Sequence, residues 1–323
     1  SVDFIIEAKG HGVVNWNGTI AVQGEDGKEI NNHMIPKLRG YTNLSGKEND
    51  EKSYKFKKKA NDINFKKNPL YISQNCIRHN LFKEFGYDQH RINPKNTDEA
   101  LASLLGLLRG YVVPKSGLKR TSPLLITDFV DQLGNGNFEQ FTTDKPLEEN
   151  KKKSADSEQK FIRSSDTLYS RTTFGDTQYT AHGSISIEEL QFISLDQKFD
   201  HCSMVIKSGQ GSKVAKKIED FLSSIKHKED LNPKATYQEN YCRIGSLFSE
   251  GEHGILLNDD AIEILVHAMI DKIKNLHIKQ CKSYMYVTDV TVDYNDSTKP
   301  FRIFSEEVTG ERDSDYAVYF EHR

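Results

Sequence analysis

The chain has 323 residues, of which 28 % are charged and 36 % hydrophobic, and its formal net charge is −3. This length suits one large domain with insertions or two domains, the polar composition predicts a soluble protein, and a reducing cytoplasm is the default expectation. The four cysteines are scattered without a CxxC pair, which argues against a structural zinc site or a disulfide framework. No signal-peptide pattern and no apolar run of about 18 residues is present, so we expect no membrane association.

Charge is distributed unevenly along the chain. Residues 37–67 hold ten basic and four acidic side chains, and residues 109–120 hold four basic and none acidic. Residues 286–323 instead hold nine acidic and four basic side chains. A basic region can bind a polyanion such as RNA or DNA while an acidic region faces a neighbouring subunit, although either can equally be a solvated surface.

The segment Tyr71–Phe85 predicts an amphipathic helix packed on a sheet. Either Ser73 or Asn75 can cap its first turn, because both side chains accept hydrogen bonds from backbone N–H groups. Apolar residues recur at helical spacing at Ile77, Leu81, Phe82 and Phe85. We expect Gly86 to end the helix as the residue after its C-cap.

The start of this helix is also a candidate phosphate site. Its unpaired N–H groups and positive dipole end lie near Ser73, and Arg78 and His79 follow one turn later. An ordinary capped helix with solvated charges explains the same residues.

Six main elements predict the fold class. The predicted order is strand, helix, strand, strand, helix, strand. These elements begin, in that order, at Val2, Ser73, Thr121, Gly183, Asn258 and Tyr284. This order predicts an α+β protein with a ferredoxin-like (RRM-like) βαββαβ core in one domain over residues 1–323. A helix over Lys213–Ile225, capped by Ser212, is either an accessory element or the second helix of this plan.

Smaller features complete the expected structure. A further helix starts with capping-box spacing at Asn96 and Glu99. Residues 168–196 predict a strand or hairpin with one buried face and a bulge at Glu188 and Glu189, and residues 302–304 and 317–320 are candidate edge strands. Two polar insertions, at about residues 19–70 and 131–172, interrupt the core.

Three passages resemble the repeating backbone subunit of type I CRISPR RNA-guided surveillance complexes (Cascade), within the RAMP superfamily. YISQNCIRHNLF is similar to the start of the first helix in these proteins, which contacts guide-RNA phosphates. HMIPKLRGY resembles the basic segment upstream of that helix, and RTTFGDTQYTAHGSISI resembles the return from the thumb insertion into the third strand. The resemblance follows the order of elements from end to end and points to the compact variant of type I-F systems.

The resemblance implies a non-catalytic RNA-binding subunit of antiviral defence that requires no cofactor. Its implied partners are the guide RNA, a target DNA strand, further copies of the chain arranged head to tail, other subunits of the complex and a helicase-nuclease. The implied RNA-binding residues of the palm are Arg39, Ser73, Asn75, Arg78 and His79.

Other site residues are candidates on charge or position. Basic residues expected to contact RNA are Lys37, Arg109, Lys115, Lys119, Arg120 and Arg171. Near the two ends of the thumb-like insertion, Phe138 and Phe174 are candidates for stacking or wedging, or for ordinary packing.

Two alternatives remain open at this point. The first is a related endoribonuclease that uses His11, His79 or His182 as a base, or an aspartate in or near the thumb (Asp128, Asp131 or Asp144). The second is an oligomeric scaffold without nucleic-acid binding, which the near-neutral net charge would suit.

Overall fold

The computed structural model describes residues 1–23, 29–39, 64–114, 116–136, 138–140, 171–198, 202–207, 209–280, 282–296, 299–304, 312 and 314–323. Within them, the strands are β1 (Val2–His11), β2 (Trp16–Gln23), β3 (Glu29–Pro36), β4 (Tyr71–Ile72), β5 (Tyr111–Val112), β6 (Lys119–Arg120), β7 (Leu124–Ile126), β8 (Phe129–Asp131), β9 (Phe138–Gln140), β10 (Arg171–Thr173), β11 (Asp176–Ile185), β12 (Phe192–Ser194), β13 (Ala235–Arg243), β14 (Glu252–Leu257), β15 (His277–Gln280), β16 (Ser283–Tyr294) and β17 (Phe320–His322). The helices are α1 (Gln74–Leu81), α2 (Gly86–Gln89), α3 (Thr97–Leu101), α4 (Ile187–Gln191), α5 (Gly211–Ile225) and α6 (Asp259–Lys274). None of the described helices is long and apolar enough to cross a membrane.

A seven-stranded antiparallel sheet, the main sheet, organises the fold. Its strand order is β15-β16-β1-β11-β8-β4, and β7 also pairs with β11. β1 lies inside this sheet and pairs along its length with β11 on one side and β16 on the other. The expected α+β class with an antiparallel sheet is therefore confirmed.

Alternation along β1 divides the main sheet into a packed face and an open face. Val2, Phe4, Ile6 and Ala8 are each at most 1 % exposed, whereas on the other face Ile5 and Glu7 are half-buried and Lys9 is exposed. The packed face meets α1 and α6, which bury residues such as Ile77 and Leu265 in the same hydrophobic core. Each large aliphatic side chain buried here contributes about 1.5–3 kcal/mol, so this face holds the sheet and helices together.

A second, four-stranded sheet has the order β12-β14-β13-β17. Helix α5 packs beside β13, and α6 packs on β16 of the main sheet and leads into β15 and β16. Of the two helices between which the sequence left a choice, α6 is the one that precedes the last long strand of the main sheet.

The helix predicted over Tyr71–Phe85 is shorter than expected. Ser73, one of the two candidate caps, is the N-cap, but α1 ends at Leu81 and a 3-10 turn follows at Lys83–Phe85. Gly86 has φ −58° and ψ −38° and begins α2, so the prediction that it ends the helix was wrong. The apolar stripe extends past Leu81 because Phe82 packs into the core from the turn between the two helices.

Three other local predictions were wrong. Residues 187–191 form helix α4 instead of a bulged strand, since the Ser186 side chain caps Glu189 N–H at 3.3 Å. Ser212 lies inside the first turn of α5, whose N-cap is Gln210. Arg302–Phe304 is a 3-10 turn and not an edge strand, whereas a short strand, β17, does form near the C-terminal end at Phe320–His322.

Antiparallel ribbons lie in both expected insertions. β2 pairs with β3 in the first, and β9 pairs with β10 at the two ends of residues 141–170 in the second. Most of the basic segment of the first insertion lies outside the described residues, but at its end Phe65 is buried against Val13, Leu38 and Leu70.

We expect Gly183→Ala to lower the free energy of unfolding by about 1–3 kcal/mol through overpacking. An added Cβ would lie 1.9 Å from Cε2 of Phe4, in the centre of the packed face. Gly86→Ala is the matched control, because no atom lies within 4 Å of its added Cβ and its φ is helical. Urea unfolding should show the control at or slightly above wild-type stability. Equal midpoints for Gly183→Ala and wild type would contradict this packing.

Candidate nucleic-acid interface

The start of α1 gathers several of the predicted residues. Ser73 has an extended backbone (φ −67°, ψ 146°), and its Oγ accepts a hydrogen bond from Cys76 N–H at 3.4 Å. The Lys37 ammonium donates to the same Oγ at 3.4 Å, and Asn15 Oδ1 accepts from Ser73 N–H at 2.9 Å. The structure therefore brings together Lys37, a candidate on charge, and Ser73, a candidate from the helix motif.

A carboxylate of the chain already lies at this helix start. Asp128 Oδ1 accepts from Gln74 N–H at 2.9 Å, and Asp128 Oδ2 pairs with Arg39 at 3.2 Å. The Arg39 guanidinium also lies over the Tyr71 ring, 5.2 Å from its centroid. Burial raises the pKa of Tyr71, and the negative charge of Asp128 raises it further. The position where a helix dipole favours an anion is thus filled by Asp128, with Arg39 and Lys37 beside it.

Arg78 and Arg109 form a second cluster, the arginine pair. The Arg78 guanidinium donates to the Leu124 carbonyl oxygen, and Arg109 donates to the Gly110 carbonyl at 3.5 Å. Burial lowers the pKa of both, and the charge of Arg109 lowers that of Arg78 further. In the part of the chain that the structure describes, neither side chain pairs with a carboxylate. Both remain charged at neutral pH, so their mutual repulsion would be relieved by a bound anion.

Arg120, predicted to contact RNA, is instead built into the core. It is 6 % exposed, and its guanidinium donates to the carbonyl oxygens of Phe192, at 2.9 Å, and Glu189. Burial lowers the pKa of Arg120. This side chain ties β6 to the segment α4–β12, and its geometry leaves it unable to reach a phosphate without leaving the core.

The remaining predicted residues are separate from these clusters. Asn75 and His79 are exposed on α1, and Lys119 is half-buried in β6. Lys115 and the side chains of Arg171 and Phe138 lie outside the described residues. The backbone nevertheless places Phe138 in β9 opposite Thr173 in β10.

The histidine and aspartate candidates for catalysis are also dispersed. His182 packs against Phe304 with ring centroids 4.2 Å apart, and burial lowers its pKa. Asp131 is buried and accepts from the N–H groups of Gly134 and Gln178, both at 3.0 Å. Asp144 lies outside the described residues. Over the described ranges, no group of three His, Cys, Asp or Glu side chains could hold a metal ion.

His11 belongs to a different surface, which the sequence analysis did not identify. Its Nδ1 lies 2.9 Å from Asp176 Oδ1, and its ring packs near Phe174 and Tyr284. Tyr284 and Tyr286 are about half exposed on the open face of the main sheet. Their spacing of two residues in a predicted strand was the available signal, since such residues share one face.

Asn15 and Gln74 were also missed at the helix start. Their contacts join segments far apart in sequence, and no local pattern indicates them.

Comparison with known proteins identifies the family. The family described as type I-Fv CRISPR-associated protein Cas7fv-like matches residues 1–323. Comparison with curated proteins gives no significant match. The family match confirms the resemblance to the backbone subunit of type I surveillance complexes, and the I-F variant fits it. The chain therefore belongs to the type I-Fv CRISPR-associated Cas7fv-like family.

Proposed function

We propose that this chain binds the guide RNA, polymerises head to tail along it, and supports pairing of the guide with a target strand without cleaving nucleic acid. Its family makes it a backbone component of a multi-subunit RNA-guided complex. The observation that carries the RNA-binding role is the arginine pair, two half-buried guanidinium groups with no carboxylate partner among the described residues. The planar guanidinium group presents pairs of N–H donors whose spacing matches two oxygens of a phosphate.

Sequence-independent binding follows from the chemistry of this surface. Arginine and lysine contacts to phosphates position the strand and carry no base preference. A backbone subunit must hold guides of any sequence, so binding through the arginine pair, Lys37 and Arg39 suits this role. The same contacts make affinity fall as salt rises, since each one releases a condensed counterion.

The proposed core is RRM-like. The adjacent strands β16, β1, β11 and β8 run antiparallel to their neighbours, which is the arrangement that a ferredoxin-like βαββαβ plan requires. Helix α1 lies between β1 and β8 in the chain, and α6 lies between β11 and β16. This order supports the assignment of β2–β3 and β9–β10 to the finger-like and thumb-like insertions.

Self-association is supported by an apolar loop between β13 and β14. Leu247 is 94 % exposed and Phe248 is 74 % exposed, next to each other at the end of this hairpin. Two adjacent large apolar side chains in solvent are costly for a monomer and typical of an interface anchor. We propose that they contact a neighbouring copy of the chain.

We expect Arg109→Gln to weaken RNA binding about tenfold at low salt and to reduce the slope of log Kd against log salt by about 1. Arg91→Gln is the matched control, because Arg91 is exposed and its guanidinium carbon lies over the Tyr87 ring, 4.4 Å from the ring centroid. Fluorescence anisotropy with labelled single-stranded RNA measures both values. Arg78→Lys, which retains the charge, should lose less affinity than Arg109→Gln. If Arg109→Gln and the control bind with the same affinity and salt slope, the arginine pair does not contact RNA.

We expect Asp128→Asn to bind RNA about fivefold more tightly at low salt, because one negative charge beside the helix start is removed. Asparagine keeps an Oδ1 acceptor for Gln74 N–H while Arg39 is released from its ion pair. Asp98→Asn is the control. It makes the same change of charge and releases Lys217 of α5 from its ion pair with Asp98 of α3, away from the helix start. Gel analysis of the RNA should show it uncut by wild type and variant, with and without Mg²⁺. Cleavage by wild type that Asp128→Asn abolishes would instead assign a catalytic role to this carboxylate.

We expect the double variant Leu247→Ser, Phe248→Ser to form smaller assemblies on long RNA than wild type. Its affinity for RNA just long enough for one subunit should not change, because the loop carries none of the proposed phosphate contacts. Sedimentation velocity of the RNA complexes measures assembly size. Val112→Ser, which removes a single exposed side chain (69 %) from β5, is the control. Assemblies of wild-type size would exclude the β13–β14 loop from the interface.

A further inference from the structure

Near the end of β1, the open face of the main sheet carries three near-parallel aromatic rings. The centroids of the His11 and Tyr284 rings lie 6.1 Å apart, with an angle of 26° between the ring planes. The centroids of the Tyr284 and Tyr286 rings lie 6.4 Å apart, with an angle of 18° between the planes. Tyr284 is 48 % exposed and Tyr286 is 47 % exposed. We call these three residues, with the exposed Lys9 and Lys279, the tyrosine platform.

Strand register fixes the platform in two rows across four strands. One row is Lys279, Tyr284, His11 and Asp176, and the next is His277, Tyr286, Lys9 and Gln178. None of these eight side chains is aliphatic. Directly opposed residues on neighbouring strands share one face, so the rings and the lysines point to the same side of the sheet.

The turn after β1 holds His11 in place. Gly12 has φ 74°, and an added Cβ would lie 2.4 Å from the Ser283 hydroxyl and 3.3 Å from the Phe174 ring. Val13 N–H donates to the Ser283 hydroxyl at 3.1 Å, which joins the turn to the start of β16. The Phe174 ring then meets the His11 ring edge-on, with centroids 6.2 Å apart. The platform is therefore preorganised by backbone geometry.

We propose that the tyrosine platform binds unpaired bases of single-stranded nucleic acid by stacking, and this proposal rests on the RNA-binding function proposed above. Flat rings stack with any base because every base has a π-face, while nearby cations attract the backbone. Lys9 and Lys279 supply these cations, and neither forms an ion pair among the described residues.

Charge and side-chain type favour nucleic acid over a protein partner. Protein interfaces are apolar at their centre, whereas the rows of the platform combine tyrosine, histidine and lysine without aliphatic residues. Three acidic residues lie at or near the platform. Asp176, at the end of the first row, hydrogen-bonds to His11, and Glu7 lies opposite Asp289 in the next row, beyond a bulge in β16. The platform is also distinct from the arginine pair, which lies with α1 and β7 on the packed side of the sheet.

The test compares full-length Tyr284→Ala, Tyr286→Ala with the matched Tyr284→Phe, Tyr286→Phe double variant. Anisotropy titrations use labelled oligouridine RNA, oligothymidine DNA of equal length, and an RNA duplex. We expect the alanine pair to bind the single strands about tenfold more weakly with an unchanged salt slope, because two stacking rings are lost and no charge is removed. The phenylalanine pair keeps both rings and should bind like wild type, and duplex binding should not change. A difference between the RNA and DNA strands would show which source of unpaired bases the platform prefers.

The outcomes separate this inference from the proposed function. If the alanine pair binds single strands like wild type while Arg109→Gln binds weakly, the platform proposal fails and the RNA-binding function stands. If the alanine pair keeps wild-type affinity but loses self-association in sedimentation, the platform is a protein contact and the proposal is overturned. If wild type binds no single strand at low salt, both proposals fail. Thermal unfolding should give similar midpoints for both double variants, since the two tyrosines lie outside the core.

Discussion

Two-sided hydrogen bonding of β1 is the constraint on which the rest of the structure depends. Because β11 and β16 both pair with this strand, its residues must alternate between two fixed faces. Phe4 and Ile6 anchor the core on one face, and Lys9 and His11 meet the tyrosines on the other. Beyond β1, Asn15 hydrogen-bonds to Ser73 at the start of α1. One strand therefore supports the core, the platform and the helix start.

The two cationic clusters differ in how their charge is satisfied. At the helix start, Asp128 neutralises Arg39 and accepts from Gln74 N–H, so that only the Lys37 ammonium, which donates to Ser73, lacks a carboxylate partner among the described residues. In the arginine pair, Arg78 and Arg109 donate to backbone carbonyls only, and no described carboxylate balances them. A polyanion would gain more from the second cluster, whereas at the first it must compete with a carboxylate already in place.

Under the two proposals, the tyrosine platform would bind bases by stacking on one side of the sheet, and the arginine pair would bind phosphates on the other side. Phosphate contacts fix position without regard to sequence, and stacking is equally tolerant because it reads no hydrogen-bonding edge. Under these proposals neither surface would discriminate between bases, which would suit a subunit repeated along one guide. Sequence recognition would then be left to base pairing.

The sequence by itself determined the α+β class, the position of the helix start near Ser73, the strong helix after Asn258 and the family resemblance, because each depends on short-range periodicity or a local motif. Tertiary structure alone decided the second sheet, whose strand β13 has little alternation and pairs with the distant β17. It also decided which basic residues can face a ligand. Arg120 and Arg109 look alike in sequence, yet packing buries the first and leaves the second half-exposed beside Arg78. Charge is a local property, whereas its accessibility depends on contacts made across the whole fold.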